Sequence, residues 1–295
     1  MNNIYQRQQE DHFVRMIAAA RQFYAEEKRW NLIWTVVSLI VAVLGTGAIA
    51  LHRQFNAFVV LAAVVVAVLE IRALPLIQKK REKAARIQEV YDHELLELPD
   101  DATIPDPPSP EIINAEAQRY LSRASEEELQ GVRLWYTQIV QGKPLSVARF
   151  ICQKENLWWH GELRTTYAHL IWAAVVVITL LLIVVGIYAP WTLAAFLTGP
   201  FLLFFPVLAA GWRNGQSHRR AAARLEELNA IADDFLQAAK KGELDEVTLM
   251  WRARQLQTAL YHQRVADAPV LEWIYRLAKK RMERLANTPG QFGED

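Results

Sequence analysis

Residues 165–212, TTYAHLIWAAVVVITLLLIVVGIYAPWTLAAFLTGPFLLFFPVLAAGW, decide the fold. These 48 residues contain no Asp, Glu, Lys or Arg, and His169 is their one titratable imidazole. A bilayer core of about 30 Å needs about 20 apolar residues per helix, so the run is long enough to cross, turn and cross back. The turn falls at Gly186-Ile187-Tyr188-Ala189-Pro190-Trp191. Gly and Pro both disfavour continuing a helix, and the two aromatics suit a headgroup layer. The stretch reads as a helical hairpin in a membrane.

A second hairpin precedes it. Residues 31–51 are uncharged and flanked by Trp30 and Trp34, which gives one crossing, with Gly45-Thr46-Gly47 near its far end to let another helix approach closely. After a short turn at 52–56, a second crossing runs to Ile77 and carries two charges, Glu70 and Arg72. The N-terminal tail holds five Lys/Arg, the first tip only Arg53 and the second tip none. Lys79, Lys80, Arg81, Lys83 and Arg86 follow the first hairpin, and Arg213, Arg219, Arg220 and Arg224 follow the second. By the positive-inside rule both termini are cytoplasmic and both tips lie outside. The first 29 residues are too charged for a cleavable signal peptide, so the first crossing is expected to serve as the targeting segment.

This gives an all-α integral membrane protein in five segments. They are an amphipathic N-terminal helical segment (1–30), a first transmembrane hairpin (31–77), a cytoplasmic helical region (78–164), the second hairpin (165–212) and a cytoplasmic helical C-terminal region (213–295). The N-terminal helix, with Phe13, Ile17, Ala20 and Tyr24 at helical spacing, packs on a neighbour or lies on the membrane surface. In the central region the second crossing runs on through Ile87, Tyr91, Leu95 and Leu98 until Pro99 stops it. Five prolines make 99–110 an extended linker. Helices are expected near Glu111, from Glu126 to Val140, and from Leu145 to about Arg164. Three amphipathic periods follow in the C-terminal region, at 225–235, 249–260 and 271–285.

Enzyme chemistry finds little support. His93-Glu94-Leu95-Leu96-Glu97 begins like a zinc-protease helix but has glutamate where the second histidine is required. Cys152 and His160 stand eight residues apart on one helix, about 12 Å by helical rise, too far for a thiolate–imidazole pair. One cysteine excludes an intrachain disulfide, and no glycine cluster forms a phosphate loop. No catalytic residue, metal ligand or cofactor is therefore expected. The balanced net charge of +1 and the lack of a basic-aromatic motif give no reason to expect nucleic acid.

The unusual residues lie in the crossings. Glu70 is 14 residues from Asn56, about 20 Å at 1.5 Å per residue, which is the inner third of the bilayer. Glu70 and Arg72 are therefore candidates for a pore or gate, or both reach the interface, where Arg72 can snorkel to the inner headgroups. Pro75 adds a possible break just below. Pro200 and Pro206 remove backbone donors from the fourth crossing, which makes them candidates for a gate or for ordinary kinks.

Certain words of the sequence are familiar. Residues 17–24 (IAAARQFY) contain Arg21, and Leu134-Trp135-Tyr136 is followed by residues 148–159 (ARFICQKENLWW) with Cys152, Gln153, Asn156 and Trp159. Together with Arg254-Gln255-Leu256-Gln257, Tyr261 and Arg264, these segments resemble the SMODS-associating four-TM effector family. The resemblance covers most of the chain in the same order, and Cys-Gln-x-x-Asn-x-x-Trp is its most specific part. His160 stands where the pattern leads one to expect an aspartate, and Asp100 where it leads one to expect an aromatic. The resemblance implies a pore-forming effector of bacterial anti-phage systems that signal through nucleotide second messengers. Such a protein acts in abortive infection, in the bacterial inner (plasma) membrane, among membrane lipid. Its expected partners are copies of itself and a cyclic-nucleotide signal or a signalling partner protein. A candidate sensing surface is Arg149–Arg164 with Arg252, Arg254 and Arg264, because guanidinium groups and tryptophans such as Trp158 or Trp159 suit an anionic nucleotide. The competing class is a non-conducting membrane scaffold or receptor that binds a partner protein through its cytoplasmic helices. An integral-membrane enzyme is third.

Overall fold

The computed structural model describes residues 2–51, 56–189, 191–267 and 270. The first tip, Pro190 of the second turn and the third C-terminal period at 271–285 lie outside the described residues. Among those described, every regular element is helical. Four helices are long and apolar enough to cross a membrane, and they form two hairpins.

The crossings are parts of longer helices. A short α1 (Ile4–Arg7) leads into α2 (Asp11–Leu51), which joins the amphipathic N-terminal segment to the first crossing without a break. The interruption before α2 coincides with Gln8, whose side chain bonds the backbone of Tyr136 in both directions: Oε1 accepts from N–H (2.8 Å) and Nε2 donates to the carbonyl (3.1 Å). Helix α3 (Asn56–Leu95) carries the second crossing past Pro75 unbroken. It ends four residues before Pro99, with Glu97 in the left-handed region at φ 52°. Helices α4 (Pro110–Leu121) and α5 (Glu126–Arg133) follow the linker, α5 opening on a capping box between Ser125 and Glu128.

The helix expected from Glu126 to Val140 stops at Arg133, and only a 3-10 turn at Gln138–Val140 follows. Tyr136 leaves the helix because its backbone and hydroxyl are both engaged by other elements, as described below. Helix α6 (Leu145–Tyr188) runs 44 residues from the body into the membrane and ends at the predicted turn. Beyond the turn, α7 (Leu193–Phe196), a π turn at Leu197–Phe201 and α8 (Leu202–Lys241) return across the bilayer and down into the body. Gly242, at φ 67°, closes α8 in the left-handed conformation that glycine adopts at no steric cost. Asp245 then caps α9 (Glu246–Ala266) by accepting from the N–H groups of Val247 and Thr248.

Outside the crossings these helices share one core. Phe13 and Ile17 of α2, Ile87 and Tyr91 of α3, Phe150 and Ile151 of α6, Leu225 and Leu236 of α8, and Leu256 and Leu260 of α9 are all buried in it. The N-terminal helix is thus packed on its neighbours. Phe13 meets Tyr91 edge-on at 5.6 Å, and Tyr91 stacks with Tyr136 at 6.2 Å.

In the crossings, α3 packs on α2, α6 packs on α8, and α2 meets α8 across the middle. Glycines set the close approaches. A Cβ on Gly45 would lie 2.4 Å from Val59 Cγ1, and one on Gly211 would lie 2.7 Å from Val175 Cγ2. The most apolar stretch of α3 buries none of its residues, whereas α2 and α8 bury part of theirs. Lipid tails cover such surface without penalty, but a charge on it is another matter.

Candidate functional site

Five of the family-pattern residues scattered over the sequence, Tyr136, Gln153, Asn156, Gln257 and Arg264, meet in one buried polar network below the crossings. Its centre is Asp92 of α3, which has no exposed surface. Its Oδ1 accepts from Tyr136 Oη (2.6 Å), and its Oδ2 accepts from Gln257 Nε2 (2.8 Å) and Arg264 Nη1 (2.6 Å). One turn earlier Glu89 accepts from Arg254 and from Gln257 Nε2 (3.0 Å). Helix α6 completes the ring: Asn156 Nδ2 donates to Tyr136 Oη (2.8 Å), and Gln153 Nε2 donates to the Ala253 carbonyl (2.8 Å) and to Gln257 Oε1 (3.2 Å). The network therefore ties α3, α6, α9 and the 134–137 segment together, and Gln8 adds the N-terminus.

Burial sets the electrostatics. It pushes the Tyr136 hydroxyl and the Cys152 thiol well above their usual ranges and lifts Glu89 against the pull of Arg254. Burial alone would lower Arg264, yet Asp92 beside it holds the guanidinium above its usual value. Glu155 accepts the Thr137 N–H (3.1 Å), and burial pushes its carboxyl up to about 7. In the unfolded chain this group ionises near pH 4.3. Its contribution to stability is therefore fully present below about pH 4.3 and is lost as pH rises through about 7. Glu155→Gln is expected to melt progressively higher than the parent as pH is raised between about 5 and 7, in thermal unfolding across that range. A constant difference would refute the assignment.

The remaining predicted residues fall into separate places. Arg21 donates to the carbonyls of Gly131 (3.0 Å) and Glu128 (3.3 Å) and to Tyr120 Oη (3.3 Å), with its guanidinium 5.4 Å from the Trp135 ring centre. It clamps α4 and α5 to α2. Cys152 is buried within the core, Trp159 packs edge-on against Trp158, and Tyr261 is buried on α9. Of the expected sensing surface, Arg254 is engaged by Glu89, and Arg149 donates to the carbonyls of Leu96 (2.7 Å) and Glu97 (2.6 Å). Arg252 stands exposed over Phe235.

Glu70 lies half-buried on the stripe of α3 turned toward α2, at helical spacing with Val59, Ala63, Val66, Ala73 and Ile77. It sits between the Gly45–Val59 contact and the Glu27–Arg81 ion pair (2.6 Å), and neither it nor the exposed Arg72 has an ion-pair or hydrogen-bond partner among the described residues. Pro200 is buried in the π turn, where the extra residue per turn absorbs its missing donor, while Pro206 sits exposed inside a continuous α8. Beside the π turn an apolar cavity of about 370 Å³ is lined by Leu182, Gly186, Phe196 and Phe201 among others.

Sequence reasoning missed Asp92, Glu89, Gln8 and Glu155. A signal existed for the first two. Ala85, Glu89, Asp92 and Leu96 recur at helical spacing and are all buried, so the acids sit on a buried stripe.

The family model of the SMODS-associating 4TM effector domain matches residues 2–289. No curated protein and no solved structure matches the chain. The four apolar helices and the four-TM family together make it a multi-pass membrane protein.

Proposed function

The chain belongs to the SMODS-associating 4TM effector domain family, and from that premise we propose that it is a pore-forming effector of nucleotide-second-messenger anti-phage defence. It sits in the bacterial inner membrane with both termini cytoplasmic, assembles with copies of itself, and permeabilises the membrane when a nucleotide signal or signalling partner reaches its cytoplasmic body. The observation that carries this reading is Glu70. A carboxylate in the inner third of a crossing, half-exposed and without a cationic partner among the described residues, is unfavourable against lipid. Placing the α2–α3 seam against water in an oligomer removes that conflict. One copy packs its helices around side chains, so an aqueous path needs several copies. Helix α3 then serves as the transmission element, because the same unbroken helix bears Glu70 and Asp92.

Assembly is tested by cross-linking. The chain's only native thiol is buried, so Ile71→Cys, beside Glu70 and exposed, introduces the one accessible thiol. In membranes of signalling cells it is expected to give disulfide-linked dimers on mild oxidation. Monomer alone, both there and with Leu74→Cys, would overturn the oligomer.

A further inference from the structure

One edge of Arg264 is unused. Its Nη1 holds Asp92, but Nε and Nη2 have no hydrogen-bond partner among the described residues, although the side chain is only 6% exposed. Nε and Nη2 form the side of the guanidinium that grips two oxygens of one anion at once. A buried donor pair left without an acceptor is costly, so the edge calls for a ligand.

Its surroundings are cationic. Among the described residues, Lys28 of α2, Arg81 of α3, Arg164 of α6 and the exposed Arg224 of α8 lie near Arg264, with the buried carboxylates Glu27, Asp92 and Asp267. Arg164 is itself held by His218 Nδ1 (3.1 Å) and Asp267 (3.9 Å). His160, partly exposed on α6, loses proton affinity to about 3 through burial and then the fields of Arg264, Arg164 and Lys28. Tyr24 and Lys28, also partly exposed, border the same place from α2. A bidentate edge with the cations of Arg164 and Lys28 near it fits an oxyanion that presents two adjacent oxygens.

We propose that Arg264, Arg164, Lys28 and Tyr24 form a binding site for a phosphate group, with two phosphoryl oxygens on Nε and Nη2 of Arg264. Lys28 and Arg164 lie within about one helical turn of the uncharged runs that begin at Asn31 and Thr165, which puts a lipid headgroup within reach, while partly exposed Tyr24, Lys28 and His160 leave a soluble phosphate as the other source. This inference stands without the pore reading, since its test measures no conduction.

The full chain is purified in dodecyl maltoside, which carries no phosphate, and melted in the presence of inorganic phosphate or of phosphatidylglycerol. A saturable rise in melting temperature of about 3 °C with at least one of them is expected. A response to inorganic phosphate identifies the soluble source, and a response to phosphatidylglycerol alone identifies the headgroup. Arg264→Lys keeps a cation for Asp92 but lacks the bidentate edge, and it should abolish the rise. Lys28→Gln, at the mouth, should weaken the response about tenfold and carries the comparison if Arg264→Lys does not fold. Arg133→Gln removes an exposed cation on α5 and should change nothing. Absence of a saturable rise with either probe, or equal losses in Arg133→Gln and Lys28→Gln, would overturn the site.

Discussion

Asp92→Ala is expected to destabilise the protein by about 3–5 kcal/mol, because removing one partner of a buried ion pair leaves an uncompensated charge. The cation left behind is Arg264, bonded to Asp92 at 2.6 Å with 6% of its side chain exposed. Tyr136 Oη loses its acceptor at 2.6 Å at the same time, and Gln257 loses one of two. The fall should appear as a melting temperature lower by roughly 6–15 °C. Arg7→Gln gives the scale: its pair with Glu97 (3.0 Å) is largely exposed and should be worth at most about 1 kcal/mol. If Asp92→Ala melts with Arg7→Gln, the network is not what joins α9 to α3. The joint matters for function because Asp92 lies 22 residues beyond Glu70 on the same helix, about 33 Å at 1.5 Å per residue. Whatever shifts α9 against α3 at the network is expected to turn or tilt the seam in the membrane.

Glu70→Gln is the second large expected effect. Rings of carboxylates favour cations in a pore, so neutralising the ring should reduce cation over anion permeability about tenfold. The readout is the reversal potential of the reconstituted oligomer under a salt gradient. Glutamine keeps the volume and the seam packing, and removing an unpaired charge should leave the melting temperature level or raise it. A chain that conducts with unchanged selectivity would remove Glu70 from the lumen. One that no longer assembles would instead give Glu70 a role between copies.

The parts of this architecture legible in the sequence were those set by local composition. Charge-free runs define crossings because the bilayer excludes charge over a known thickness, and both hairpins followed from that. The amphipathic stripe at Ile87, Tyr91 and Leu95 became core, as its spacing required. Continuity past the membrane surface was legible for α3, from its stripe at Ile87, Tyr91 and Leu95, but not for the other crossings, where nothing in the composition tells whether a helix ends there. Helices α2, α3, α6 and α8 all pass through without a break. The 134–136 segment was misread because its exit from helix is imposed from far along the chain, by Gln8 at a separation of 128 residues and Asp92 at 44. The polar network was illegible as a unit for the same reason. Gln257 and Arg264 meet Asp92 across 165 and 172 residues. Their places in the family pattern marked them without indicating what they touch.

On the pore reading, this chain opens a path for ions when its body is signalled. The most direct measurement is the membrane potential of bacteria expressing the full chain together with the nucleotide-signalling component. Depolarisation on signalling, absent from cells lacking the chain, is the predicted result. Retained polarisation in cells whose Ile71→Cys chains cross-link into oligomers would contradict it, and would leave a non-conducting scaffold held in the membrane by the same two hairpins.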